Sequence, residues 1–248
     1  RNDQFWKAIH DCIKKAKATN VGVMDIGDEQ GDAKAWYYEP FTYVFRHYYF
    51  PKIVSDKVHW IPNGYTTNAG PRSTGVLPPT SMRTTFCAFS GSKQRGRSAN
   101  DRKELQDAAK QGVTMKLCNV KITDGFNRGL SKFDYTAVLQ NTIFALCPEG
   151  NSPETLRLYE AMENGAIPVV KAGSLAMEGP FKSAPFVFVD HWKDFDKVLM
   201  SHMADEWGRT DKQQAEVIRW WKGLKRDTAA LVRRSIDAGF EARYGPGA

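Results

Sequence analysis

At 248 residues, 42% of them hydrophobic, the chain is long enough for one large domain or two small ones around a real core, as in an ordinary globular protein. Lys and Arg number 35 against 28 Asp and Glu, a net charge of +7, scattered or in short groups such as Lys93, Arg95 and Arg97; this reads either as a solvated positive surface or as attraction for phosphate-bearing ligands. Nucleic acid is set aside as a partner, because there is no zinc-finger spacing, RNP-type aromatic signature or continuous basic helix, and no apolar run reaches the roughly 20 residues needed to span a bilayer.

The start, Arg1-Asn2-Asp3-Gln4, is polar and has no initiator Met, so the chain reads as a piece of something longer rather than as one opening on a signal peptide. From Gln4 to Ala18, Phe5, Ile9, Cys12 and Ile13 share one face with lysines opposite, which predicts an amphipathic helix. Asn20 stops it. Strands are predicted at Val21–Ile26, ending on Gly27-Asp28-Glu29, and at Tyr43–Arg46 and Val58–Ile61. From Thr66 to Thr80 the composition turns to Thr, Asn, Gly and Pro, which predicts a linker. Regular alternation follows: strand Thr85–Phe89, helix Asn100–Gln111, strand Thr114–Asn119, helix Tyr135–Gln140, strand Thr142–Cys147, helix Pro153–Asn164 and strand Ile167–Val170. A strand at Pro185–Val189 and helices through Trp192–Ala204 and Asp211–Ile236 complete it. That order predicts an α/β fold with a parallel sheet and helices on both faces. The four cysteines, Cys12, Cys87, Cys118 and Cys147, form no CxxC pair and read as buried free thiols, with a disulfide left open.

Ligands of open parallel sheets bind outside the carboxyl ends of the strands. The residues there are Ser90-Gly91-Ser92, Asn119, Pro148 to Ser152, Lys171 and Asp190-His191. The segment from Cys147 to Val170 is the most informative. Gly150 permits a sharp turn and close approach of a ligand, Asn151 or Ser152 caps the next helix, and Pro153 suits its first turn. Free N–H groups there would receive an anion such as a pyrophosphate. Arg157 adds a forked cation, and Glu160, three residues on, a carboxylate suited to ribose hydroxyls. The plainer alternative is a strand–helix–strand unit in which Arg157 and Glu160 form a surface ion pair worth about 0.3–0.5 kcal/mol.

The Cys-Pro-Glu-Gly segment, the run Arg157-Leu158-Tyr159-Glu160-Ala161 and Gly165 to Val170 together resemble the donor-binding signature of exostosin-like glycosyltransferases. Gly27-Asp28-Glu29, Phe45 to Tyr49, Ile61 to Tyr65 and Trp220-Trp221-Lys222 resemble their ribitol-phosphate xylosyltransferase branch. The resemblance implies a GT-B architecture: residues 1–65 a partial acceptor-side lobe, 66–80 a linker, and 81–248 a Rossmann-like donor lobe with C-terminal helices. It further implies a UDP-sugar donor, a glycan or glycoconjugate acceptor, no bound metal or other cofactor, and a Golgi location. By the same analogy Arg157 meets the diphosphate, Glu160 the ribose, and Ser90, Gly91, Ser92, Gly150, Asn151 and Ser152 line the crevice.

An inverting transfer needs a base for the acceptor hydroxyl, and Asp28 and Glu29, after a buried strand, are positioned for it; Asp28 as a cap of the following segment is the alternative. Arg46 would face a phosphate or the acceptor, or pair with Asp28, and His47, His59 and His191 are lesser candidates. The first lobe is short for a two-lobed enzyme. A non-catalytic donor-lobe module acting as a partner or scaffold is therefore the second expectation.

Overall fold

A computed structural model of the chain describes residues 3–53, 55–66, 69–71, 76–93, 97–125, 129–173, 179–204 and 208–245, without the side chains of residues 97, 98 and 242–244. Arg95, the side chain of Arg97 and much of the expected linker lie outside the described residues. Two compact units emerge, residues 1–63 with 223–248, and residues 64–222.

The first unit contains helix α1 (Asp3–Lys15) and strands β1 (Gly22–Asp25), β2 (Tyr43–Arg46) and β3 (Val58–Trp60). They form a parallel sheet in the order β1-β2-β3, with Gly22 beside Tyr43 and Val44 beside Val58. The buried face of α1 differs from the expected one. Trp6 is buried and stacked on Tyr37 at 5.1 Å, whereas Phe5 is 59% exposed and Cys12 is exposed. Trp6, Ile9 and Ile13, at spacings of three and four, make the helical stripe that meets Tyr37, Tyr38, Phe41, Val44 and Val58.

The second unit holds β4 (Thr85–Ser92), α2 (Arg97–Gln111), β5 (Asn119–Thr123), α3 (Lys132–Asn141), β6 (Thr142–Leu146), α4 (Leu156–Glu163), β7 (Ile167–Lys171), β8 (Val187–Val189) and α5 (Phe195–Met203). Its sheet is parallel throughout, in the order β5-β4-β6-β7-β8. The chain moves one way from β4 to β5 and the other way from β5 to β6 and beyond. Right-handed crossovers then put α2 on one face and α3 and α4 on the other, while α5 packs on the α2 side, where Asp196 meets the turn after α2. The fold is thus α/β, with a Rossmann-like sheet covered on both faces and a short α/β portion before it. Helix α6 (Gly208–Tyr244) starts in this unit and ends in the first. Its end was expected with the donor lobe. Asn20 donates to the Gly239 carbonyl, and Gly239 lies so close to the Tyr43 ring that a side chain there would meet it at 3.1 Å, which groups that end with the first sheet. Among the described residues no helix is long and apolar enough to cross a membrane.

Three local differences have identifiable causes. The strand expected at Thr114–Asn119 is a 3₁₀ turn at Met115–Leu117, with β5 starting at Asn119, because the Asp196 carboxylate accepts from the amides of Val113, Thr114 and Met115 and takes them out of any ladder. The helix expected from Pro153 starts at Leu156, behind Thr155, because Glu154 N–H donates to Ser152 Oγ and Thr155 N–H to the Pro153 carbonyl. Finally, Cys87 and Cys118 are disulfide-bonded and only Cys147 is a buried free thiol, so the free-thiol expectation fails for that pair. The bridge joins β4 to the residue before β5, neighbours in the sheet although 31 apart in sequence.

Candidate donor site at the mouth of the second sheet

The strand order of the second unit reverses between β4 and β6, the topological switch point at which open α/β sheets bind ligands. There the two strands part. Their last pair is Ala88 with Ala145, whereas β4 stays paired with β5 as far as Ser92 with Thr123. Lys93 N–H donates toward β5, to the Thr123 carbonyl, so strand alternation aims the carbonyls of Ser90 and Ser92 at the side that β6 has vacated. Two guanidiniums fill the gap. Arg157 Nη2 donates to the Ser90 carbonyl at 2.5 Å and Arg102 Nη1 to the Ser92 carbonyl at 2.5 Å, while Arg102 Nε donates across the mouth to the Glu149 carbonyl at 3.0 Å.

Both cations lie against one ring. The centre of the Arg157 guanidinium is 4.4 Å from the Phe89 centroid and that of Arg102 5.6 Å. Burial, together with the neighbouring charge of Arg157 and against that of Asp101, draws Arg102 down to about 10, so Arg102 stays charged at neutral pH. Arg157 Nε is buried without a hydrogen-bond partner. Arg157 and Glu160 form no ion pair with each other, so the plainer reading of that pair does not describe them. Glu160 is buried one turn further along α4, where Oε1 accepts from Thr66 Oγ1 at 2.8 Å. Burial raises Tyr135, with Glu160 adding to the rise and Arg157 opposing it, and pushes the Cys147 thiol up to about 12.

The expected donor-binding residues of the second unit come together here. Ser90, Gly91 and Ser92 are the last residues of β4 rather than a loop after it, and Gly150, exposed Asn151 and buried Ser152 follow β6. A side chain on Gly150 would come within 3.7 Å of Arg102 Nη2, and Gly91 lies directly below both guanidiniums. Ser152 turns its Oγ to Glu154 N–H at 3.2 Å instead of capping a helix. Sequence reasoning missed Arg102, Phe89, Thr66 and Tyr135. Only Arg102 left a signal, as a charged residue three before Leu105 in a helix whose buried stripe continues at Ala108.

The two expected acids lie in the first unit. Asp28 is 1% exposed, binds Arg46 Nη2 at 2.7 Å and accepts from the amides of Asp32 at 2.9 Å and Ala33 at 3.3 Å, which makes it the cap of that loop and the partner of Arg46. Glu29 is half-buried and accepts from Tyr48 Oη at 3.3 Å, beside a Tyr48 backbone held at φ 60°. His191 sits 3.3 Å from Glu104, and burial lowers both His47 and His59. Among the described residues no group of three or more His, Cys, Asp or Glu gathers as a metal site.

The family model of the RXYLT1 C-terminal domain matches residues 72–240. The chain belongs to that family. The match to the RXYLT1 C-terminal domain takes in β4 to β8 and both Arg102 and Arg157, but not Thr66. Similar curated proteins are the ribitol-5-phosphate xylosyltransferase 1 of Homo sapiens, 26% identical over 174 residues, and of Mus musculus, 24% identical over 174 residues. Each match covers 62% of this chain and 38% of the relative. Among solved structures, the GtfA/B complex is 12% identical with a TM-score of 0.50 over 93% of this chain and 55% of that one, a likeness of fold. AviGT4, a glycosyltransferase involved in avilamycin A biosynthesis, is 13% identical with a TM-score of 0.40, over 89% of this chain and 78% of that one.

Proposed function

We propose that this chain carries the donor site of a glycosyltransferase that moves a sugar from a UDP-sugar to a hydroxyl of a glycan or glycoconjugate. The observation that carries the proposal is the guanidinium of Arg157 at the switch point, over Gly91 and, among the described residues, without an ion-pair partner. The diphosphate lies against Arg157, and Glu160, oriented by Thr66, accepts from the ribose hydroxyls. The relatives are named as xylosyltransferases acting on ribitol 5-phosphate, so UDP-xylose and a ribitol-phosphate acceptor are the first pair to try. The transfer is inverting and independent of metal, the guanidiniums supplying the positive charge. Glu29 is the base candidate accessible to an acceptor, since Asp28 is committed to Arg46. A Golgi lumen accords with the Cys87–Cys118 bridge, which needs an oxidising compartment.

Titration calorimetry with UDP, UDP-xylose and GDP is the test. Uridine nucleotides should bind, Arg157→Ala should abolish binding, and added EDTA should leave it unchanged. A folded protein with no measurable affinity for any of the three sinks the proposal. The closed Asp28–Arg46 pair supports a second reading, a donor-lobe module without turnover. UDP binding with no transfer or donor hydrolysis would select that reading.

A further inference from the structure

We infer that Arg102 and Arg157 form a single two-cation site for the distal phosphoryl group of the nucleotide, and that Arg102 takes up the charge that appears on it as the sugar departs. This rests on the reading of the crevice as a nucleotide-sugar site.

Three features of the second unit point to it. The first is position. A carbon placed as a side chain on Gly91 would lie 2.9 Å from Arg157 Nη2 and 3.5 Å from Arg102 Nη1, so both nitrogens converge on one point above the end of β4. Phe89 Cζ lies 2.9 Å from the same point, so a phosphoryl group would bridge the two heads clear of the ring and receive a hydrogen bond from each.

The second is charge without compensation. Among the described residues neither guanidinium forms an ion pair. Asp101, whose charge partly offsets that of Arg102, is itself occupied by Trp192 Nε1 at 2.8 Å, the Glu149 amide at 2.8 Å and Lys171 at 3.5 Å. Arg102 is only 7% exposed, so its charge is poorly solvated and gains from an added anion.

The third is unused donors. A guanidinium carries five N–H groups. Arg83, in the same unit, shows how a structural arginine uses them, donating to the carbonyls of Pro78, Leu139, Thr142 and Asn164. By contrast, among the described residues Arg157 makes a single hydrogen bond, to Ser90, and its Nε is buried and unpartnered, while Arg102 makes two, to Ser92 and Glu149.

Two cations suit the chemistry of departure. In the donor the distal phosphoryl group is esterified to sugar C1 and carries one negative charge. When the C1–O bond breaks, its electron pair stays on the phosphate oxygen; the acceptor oxygen bonds to C1 and releases its proton to a base. The distal phosphoryl group now carries two charges. An interaction that grows along that path lowers the barrier, whereas one equally strong before and after only tightens binding.

The test compares UMP, UDP and UDP-xylose by calorimetry in the wild type, Arg102→Gln and Arg102→Lys. Gln keeps a donor for one strand carbonyl and removes the charge. Arg102→Gln should lose about 10- to 100-fold in UDP affinity, less in UDP-xylose affinity, and no more than about twofold for UMP, with Arg102→Lys in between. A purely structural Arg102 would weaken all three ligands alike, and that result, or an unchanged preference for UDP over UDP-xylose, overturns the inference. Wild-type protein supplies an arm that needs no variant to fold: UDP should bind at least about tenfold more tightly than UMP, and equal affinities overturn it too. If the wild type bound no uridine nucleotide, the donor-site reading itself would fall; UDP binding with unchanged preferences in Arg102→Gln removes only the role of Arg102.

Discussion

Replacing Gly91 with alanine tests the anion site without removing any charge from it. The added methyl would lie 2.9 Å from Arg157 Nη2, 2.9 Å from Phe89 Cζ and 3.5 Å from Arg102 Nη1. Comfortable contact begins near about 3.5 Å, so the nearer neighbours must retreat by roughly 0.6 Å. The head of Arg157, at the end of a flexible chain, gives way more easily than the buried ring of Phe89. Gly91 is not among the glycines with a left-handed backbone, so alanine is tolerated there and stabilises by about 0.4–1 kcal/mol through the unfolded chain. Overpacking of about 1–3 kcal/mol opposes that, leaving a modest net loss of stability. Affinity suffers more. A guanidinium pushed off the convergence point forfeits a charge-assisted hydrogen bond of about 1.5–3 kcal/mol, or roughly 10- to 150-fold in UDP affinity. A thermal melt and a UDP titration on the same preparation measure both effects. A folded Gly91→Ala that binds UDP as the wild type does would show that no anion occupies the space above Gly91.

Asp28→Asn leaves Arg46 charged, 1% exposed and, at Nη1, already without a partner; urea unfolding should show a loss of about 3–5 kcal/mol, with Asp28→Asn/Arg46→Met recovering most of it, and an Asn variant as stable as the wild type contradicts the pairing. Burial holds His47 and His59 below their ordinary value, so the unfolded chain binds protons that the folded unit refuses; their contribution is complete above about pH 6.5 and is lost as pH falls below it. At Asp196 and Asp211 burial raises the carboxyls, but hydrogen bonds from Thr114 and Met115, and from Thr80 and Ser81, outweigh it, so their contribution persists to about pH 3.9 and is lost only below. Acid titration followed by near-UV circular dichroism should therefore show the first unit loosening before the second, an order that His47→Gln/His59→Gln should blunt. Reducing the Cys87–Cys118 bridge, which closes a loop of 31 residues, should cost about 3–4 kcal/mol in a melt with and without reductant. Before unfolding, alkylation should mark exposed Cys12 and spare buried Cys147.

The second sheet was legible because its central strands are buried on both faces. Thr142–Leu146 is buried at every residue and Ile167–Val170 likewise, so they read as continuous apolar runs between helical stretches. What misled was residue pattern satisfied by something other than a strand. Met115 is fully buried, as a strand residue would be, yet the amides around it go to Asp196, 81 residues away in sequence. In α1 both Phe5 and Trp6 are apolar neighbours, and only the position of Tyr37 decides which turns inward. Pro153 and Ser152 have the composition of a helix start, but their local hydrogen bonds close a tight turn first. The first two of these outcomes are set by a partner distant in sequence, which no local window contains; the third is a competition between two short-range arrangements that share one composition.

The site was legible in its glycines and in Arg157, and illegible in Arg102, for a single reason. Its geometry follows from β4 outlasting its pairing with β6, a fact of register. That divergence strands the carbonyls of Ser90 and Ser92, and buried carbonyls require donors. Neutral amide side chains would satisfy them as well. Two guanidiniums on one phenyl ring, repelling each other and, among the described residues, in no ion pair, cost desolvation and repulsion that the strand end does not require. Where a fold departs from the arrangement that would stabilise it most, the departure points to a ligand. A ligand that would remove the cost here is one bearing two negative charges on a single small group that both guanidiniums reach.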